Sequence, residues 1–272
     1  MQDAIQERFQ IASTGEYCTV HPHHELLNID GTTLCTICET DKQHAEFEAE
    51  STKRINQALN SRFYRMLDTQ SITEDASVID CTFSSYEATT PEEVAVKEQA
   101  TKVYQAIKSN LQGNTPAVNA WFTGEVGAGK SHLAMAILRN INEMGEKKQR
   151  CVYVSVSKMM QLVRGSFDDK SSKYTESYCV ELCSEADVLV LDDLGTETGA
   201  VGSNKQATDF VHRMLNAIVN ARAEKCTIIT TNHTAASLVT MYDKRIVSRM
   251  SRNHMLVRFE NISDKRMTGF AF

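Results

Sequence analysis

Residues 124–131 read Gly124-Glu125-Val126-Gly127-Ala128-Gly129-Lys130-Ser131, which fits the phosphate-binding pattern G-x-x-x-x-G-K-[ST]. Glycines at 124, 127 and 129 let the backbone curl so that successive N–H groups face inward at the positive end of a following helix. In that arrangement Lys130 reaches the β- and γ-phosphates of ATP and Ser131 holds Mg²⁺. Glu125, Val126, Ala128 and the adjoining His132 complete the cofactor-binding stretch. A glycine-rich turn ahead of a helix accounts for the glycines but not for Lys130-Ser131.

Three further groups could do chemistry with this loop. The apolar run 187–191 ends in Asp192-Asp193. A strand there sets Asp192 beside the phosphate loop, where it holds Mg²⁺ through water or bonds Ser131, and Asp193 then orients or deprotonates the attacking water. The run 226–231 ends in Asn232, which can polarise that water; a helix cap near Thr234 is the plainer reading of the same residues. Arg245 and Arg249 stand four apart on one helical face. In an ATPase such an arginine reaches a neighbouring subunit's γ-phosphate and raises the rate by roughly 10³–10⁵. Arg249 is the expected finger, with Arg245 in support.

These groups need elements to position them. Strands are expected at 118–123, 151–155, 187–192, 226–231 and 254–259, with helices at 91–110, 130–144, 157–165, 205–222 and 243–251. The alternation implies an α/β fold with a parallel sheet covered by helices. Thr90-Pro91-Glu92-Glu93 is a helix start: a capping Thr, Pro at the first position and acids in the first turn. The stretch 44–67 has Phe47, Ile55, Leu59, Phe63, Tyr64 and Met66 at mostly helical spacing, and 68–82 reads as a linker.

Nearer the start, Cys18 and His21 form one knuckle of spacing x₂, and Cys35 and Cys38 form another thirteen residues on. Two such pairs can place four ligands tetrahedrally about Zn²⁺. A stretch this short has too little core to fold alone, so metal binding would supply its folding energy. His21 keeps the x₂ symmetry and is preferred as the fourth ligand, with His23 and His24 within reach. Of the eight cysteines, Cys151, Cys179, Cys183 and Cys226 lie in strand-like or helix-like runs and read as small buried hydrophobes rather than disulfide partners.

The 272 residues are enough for one large and one small domain, and 42% apolar content is ample for a core. No apolar run approaches the roughly 18 residues of a membrane span. The stretch Met1 to Gln6 has neither the basic nor the apolar region of a signal peptide, so a cytoplasmic protein is expected. A net charge of −6 argues against a broad basic surface but permits a local groove for a nucleic acid backbone.

Taken together, residues 124–131, 188–193, 230–232 and 243–249 resemble an AAA+ ATPase. In detail, residues 129–134, 191–195, 230–233 and 245–250 are similar to bacterial and phage replicative helicase loaders of the DnaC/DnaI kind, as are Cys81 to Tyr86 ahead of the first core helix and the zinc knuckle followed by a helix. The resemblance implies a zinc-binding and helical helicase-interaction domain over 1–68, a linker over 69–82 and an AAA+ P-loop domain without a C-terminal lid over 83–272. It implies an N-terminal grip on a hexameric DnaB-type helicase, self-assembly on that ring with ATP at subunit interfaces, and transfer of the helicase to single-stranded DNA. The family's final-helix arginine is not matched: the preferred register puts Asp264 there, with Lys265 or Arg266 as substitutes. Candidate DNA contacts are Lys158, Arg164, Lys170, Lys173 and Tyr174, and 199–204 reads as a flexible loop. An IstB-like transposition ATPase and a non-hydrolysing ATP-dependent adaptor are the competing readings.

Overall fold

A computed structural model describes residues 10–145, 148–198 and 206–265, which fall into two units, 1–59 and 60–272. In the first unit, β1 (Ile11–Tyr17), β2 (Glu25–Ile29) and β3 (Thr32–Leu34) form an antiparallel sheet, followed by α1 (Thr36–Gln70), which runs on into the second unit. None of the three strands is apparent from the sequence, because β1 and β3 are mostly exposed, β2 is half-buried throughout, and none of them alternates. Asp30 and Gly31, both at positive φ, make the β2–β3 turn. Helix α1 starts eight residues earlier than the expected 44 and ends three later than 67. No Pro or Gly interrupts the chain from Thr36 to Gln70, so nothing stops it.

The second unit is built on a five-stranded parallel sheet of order β5-β6-β7-β4-β8: β4 (Asn119–Gly124), β5 (Cys151–Ser155), β6 (Val188–Asp192), β7 (Cys226–Thr231) and β8 (His254–Phe259). β5, β6 and β7 are buried along their whole length, as strands covered on both faces must be. One face packs on α2 (Pro91–Leu111) and α3 (Lys130–Glu143) around Phe122, Leu133, Ile137 and Phe259. The other packs on α4 (Val156–Gly165), α5 (Glu176–Glu185), α6 (Asp209–Ala221), α7 (Ala235–Met241) and α8 (Lys244–Met250) around Met159, Leu189, Met214 and Ile229.

Local chemistry sets these helix starts. α2 has the full capping box: Thr90 Oγ1 accepts the Glu93 N–H and Glu93 Oε2 accepts the Thr90 N–H. Ser155, Thr175, Thr208, Thr234 and Asp243 cap α4 to α8. The helix expected from 205 begins at Asp209, where Thr208 supplies the cap. The expected linker is also more ordered than its composition suggests. Ile72 pairs with Val154 in parallel register at the edge of β5, and Ala76–Asp80 form a 3₁₀ turn capped by Asp75. The loop expected at 199–204, the stretch Met1 to Gln6 and Arg266 lie outside the described residues.

Candidate nucleotide site and metal centre

β4 delivers Gly124 to the phosphate loop in a conformation only glycine supports. Its φ is +138°, and a Cβ would lie 2.2 Å from the Phe259 carbonyl oxygen of β8. Gly129 is in the left-handed region, with a Cβ position 2.5 Å from the Tyr86 ring. α3 then starts at Lys130 with no side chain capping it, so its first N–H groups open toward the loop. Lys130 is buried, and its ammonium donates to the carbonyls of Gly124 at 3.0 Å and Glu125 at 2.5 Å.

Val126, Gly127, Gly129, Lys130, Ser131 and His132 line one cleft. Asp192, Asp193 and Asn232 line it from the ends of β6 and β7. Gly124, Glu125 and Ala128 support the loop from outside that cleft: Ala128 is fully buried and its carbonyl accepts the Tyr86 hydroxyl at 3.3 Å. The chemistry suits a triphosphate with its metal. An ammonium, open helix N–H groups and two carboxylates converge, and the buried Oδ1 of Asn232 has no partner among the described residues.

The acidic end is held by groups that motif reading does not isolate. Thr230 Oγ1 donates to Asp192 Oδ1 at 2.7 Å and accepts the Asp193 N–H at 2.9 Å. Asp193 itself turns at φ +54°. Tyr153, almost wholly buried in β5, lines the same cleft as Ser131 and Asp192. Burial, then the charge of Asp192, push that phenol well above its ordinary value. A tyrosine in an apolar strand reads as core; only its distance along β5 from Ser155, two residues, marks it as facing the strand end where Ser155 pairs with Asp192.

His132 turns to the entry segment. Its Nε2 lies 2.9 Å from the Thr82 carbonyl and 3.0 Å from Ser85 Oγ, edge-on to Tyr86, and burial lowers its pKa. Lys265 also lines the cleft, but its ammonium pairs with Glu93 at 3.0 Å and lies 4.3 Å from the Tyr86 ring centroid. Asp264 packs directly against Gly127.

The structure does not bring Arg245 and Arg249 to this cleft. Both are exposed on α8, and Arg249 Nη1 donates to Asn216 Oδ1 of α6 at 2.9 Å. Among the candidate DNA contacts, Arg164 stacks over Phe210, Lys173 over Tyr174, and Tyr174 edges onto Tyr178, while Lys158 bonds Gln161.

In the first unit, Cys18, His21, Cys35 and Cys38 converge with all four ligand atoms within 4.8 Å of one another. His21 Nδ1 lies 3.9, 3.7 and 3.3 Å from the sulfurs of Cys18, Cys35 and Cys38, and Cys18 and Cys38 are 3.5 Å apart. Zn–S bonds of about 2.3 Å set tetrahedral ligand atoms roughly 3.3–3.8 Å apart, so the set fits zinc. The other nitrogen of His21 is 3.5 Å from Asp41, the carboxylate partner that orients a ligating imidazole. His23 and His24 are not in the cluster. The N–H of His21 pulls the Cys18 thiol down to about 6, and the hydrogen bond to Cys18 pushes Cys38 up to about 12.

Sheet order, phosphate loop and paired acids define a P-loop ATPase fold of the AAA+ class. Residues 90–256 match the model of the bacterial DnaA ATPase domain, and the chain belongs to that family. It is 31% identical over 175 residues to the uncharacterized protein YdaV of Escherichia coli K12, covering 64% of this chain and 62% of that one. It thus spans under two thirds of the length of that relative. It is 23% identical over 218 residues to the replicative helicase loader DnaC of Buchnera aphidicola, covering 79% of this chain and 80% of the loader. A crystal structure of DnaI superposes with a TM-score of 0.52 at 17% identity, over 69% of this chain and 95% of that one, which shows a shared fold. The chain is a DnaC/DnaI-like AAA+ protein. Among the described residues no helix is long and apolar enough to cross a membrane.

Proposed function

We propose that this protein loads a hexameric DnaB-type replicative helicase onto single-stranded DNA, using ATP bound and hydrolysed between subunits that assemble on the helicase ring. The observation that carries the reading is the convergence of Lys130, Ser131, Asp192, Asp193 and Asn232 on one cleft. The similarity to DnaC supports its direction.

In this reading Lys130 and the open N–H groups of α3 bind the β- and γ-phosphates, with residues 124–132 wrapping them. Ser131 and Asp192 would hold Mg²⁺, and the ion would supply positive charge to offset that of the transferring phosphoryl group. Asp193 orients or deprotonates the attacking water, and Asn232 polarises it. Arg249, supported by Arg245, reaches the γ-phosphate of the neighbouring subunit, which is why neither faces its own cleft. Residues 1–68, with zinc on Cys18, His21, Cys35 and Cys38, form the helicase-binding domain, joined through 69–82 to the ATPase domain of 83–272.

The test is capture of the replicative helicase by the full chain, with Cys35→Ser and deletion of 1–68 as controls, alongside ATPase assays of wild type and Lys130→Ala. Capture that requires the intact zinc stretch, with turnover lost in Lys130→Ala, is expected. Binding to duplex DNA with ATP and no helicase capture would favour the transposition-type reading. Equal background turnover in both proteins would favour a non-hydrolysing adaptor.

A further inference from the structure

His233 follows Asn232 just beyond β7 and has no part in the roles given above. It does not line the cleft, and it is only 5% exposed. Its Nε2 has no hydrogen-bond partner among the described residues, so that end of the ring offers its surroundings shape and no bond. What the ring meets is the backbone of Gly195, two residues beyond Asp193: a Cβ there would lie 2.3 Å from Cδ2 and 2.7 Å from Nε2 of the imidazole. Gly195 is also at φ +107°, so both its conformation and this close approach call for glycine.

The turn 193–195 is held residue by residue from the end of β7. The Asp193 N–H donates to Thr230 Oγ1 at 2.9 Å, the Leu194 N–H donates to the Thr230 carbonyl at 2.9 Å, and Thr231 Oγ1 donates to the Leu194 carbonyl at 2.7 Å. Thr231 Oγ1 also accepts the His233 N–H at 3.1 Å, so one hydroxyl ties the turn to the residue that carries the ring. Glu197 adds a further hold, accepting the Gly195 N–H at 3.0 Å and the hydroxyl of Tyr242. Asp193 at φ +54° and Gly195 at φ +107° are both left-handed, a backbone that persists where its surroundings over-determine it.

We infer that His233 is a positioning residue: its ring, set against Gly195, fixes the Asp193 turn relative to Asn232. Asp193 and Asn232 come from the ends of different strands and line one cleft, where both are assigned to the attacking water. His233 adjoins Asn232 in the chain, so movement of the turn on the ring is movement of Asp193 relative to Asn232. A displacement of about 1 Å between such groups can cost about 100-fold in rate. The ring acts through Gly195 alone and is given no contact with nucleotide or water. The inference rests on the reading of Asp193 and Asn232 as the pair that orients and polarises the water.

The test is a double-mutant cycle of His233→Ala and Gly195→Ala on ATP turnover at saturating ATP, with binding of a fluorescent ATP analogue and thermal melting followed in parallel. His233→Ala should lower turnover about tenfold and leave analogue affinity within about twofold of wild type. Gly195→Ala should lower turnover further in wild type than in the His233→Ala background, where its methyl group has room. The strain of alanine at φ +107° is common to both backgrounds and cancels, so the coupling reports the ring contact. If Gly195→Ala does not fold, His233→Phe decides the matter: it restores a flat ring and should recover most of the turnover lost in His233→Ala. Losses that multiply to within about twofold of the double variant overturn the inference, as does a Phe variant no faster than the Ala variant. A lower melting temperature with unchanged turnover would mark His233 as packing only and overturn it too. A wild type that turns over no faster than Lys130→Ala would instead remove the ATPase reading, and the inference with it.

Discussion

The Thr230 hydroxyl donates a 2.7 Å hydrogen bond to Oδ1 of Asp192, while its oxygen accepts the Asp193 N–H at 2.9 Å. One β7 side chain thus orients the first acid and fixes the backbone of the second. Thr230→Val preserves shape and leaves a buried acceptor and a donor unmatched. The expected result is a loss of about 1–3 kcal/mol in stability and a fall of ten- to a hundredfold in ATP turnover. Nucleotide affinity should stay within about threefold. Urea unfolding and steady-state kinetics read both effects, and unchanged turnover would show that Asp192 needs no such support.

Arg249 is held by Asn216 on its own subunit and is directed away from its own cleft. Arg249→Ala should bind ATP normally and lose stimulated turnover by 10³-fold or more. Asn216→Ala should lower stimulated turnover to a smaller extent by freeing the guanidinium. Mixing Arg249→Ala with Lys130→Ala subunits checks the arrangement in trans, since a junction pairing an intact Arg249 with an intact Lys130 should recover part of the activity.

The Cys18, His21, Cys35 and Cys38 cluster should carry one zinc ion per chain, measured by dye-coupled metal release. Cys35→Ser should lower zinc content and abolish helicase capture. ATP-analogue binding should be unchanged, because the described residues that line the nucleotide cleft all belong to the second unit. Capture that survives complete chelation would separate the zinc stretch from the partner.

Glu93 predicts a pH dependence of stability. Burial by itself would raise its carboxyl, but the N–H groups of Thr89 and Thr90, the Lys265 ammonium and the Thr89 hydroxyl together hold it at about 2, against an ordinary value of 4.5. The unfolded chain therefore binds more protons between those values, and stability rises with pH across that window. The contribution is full above about 4.5 and lost as pH falls toward 2. Wild type should exceed Glu93→Gln by about 1–3 kcal/mol at pH 7, and the difference should shrink through that window. Comparing the two proteins cancels Glu197, whose buried carboxyl is raised and acts in the opposite sense.

The phosphate loop, the acids after 187–191, Asn232 and the Cys/His knuckles are all legible in the chain, because each is a contiguous stretch whose residue types carry their own geometry. The core strands are legible for the same reason: a strand buried on both faces is an apolar run, and β5, β6 and β7 are such runs. β1 to β3 are not, since a small sheet with no fully buried residue in its strands has no need of alternation. The edge pairing of Ile72 with Val154 escapes as well, because its partners stand 82 positions apart and the segment is polar.

By itself, then, the sequence determined the ligand types, the five core strands, and the chemistry expected at each strand end. Only the tertiary structure decided that His21 rather than His23 or His24 faces the three sulfurs. It also put Thr230 behind Asp192, brought Tyr153 to the cleft, and sent Lys265 to Glu93. Those choices depend on distances between residues far apart in the chain. Spacing along one strand or turn constrains neighbours within a few residues, and only the packed sheet and helices bring the others together.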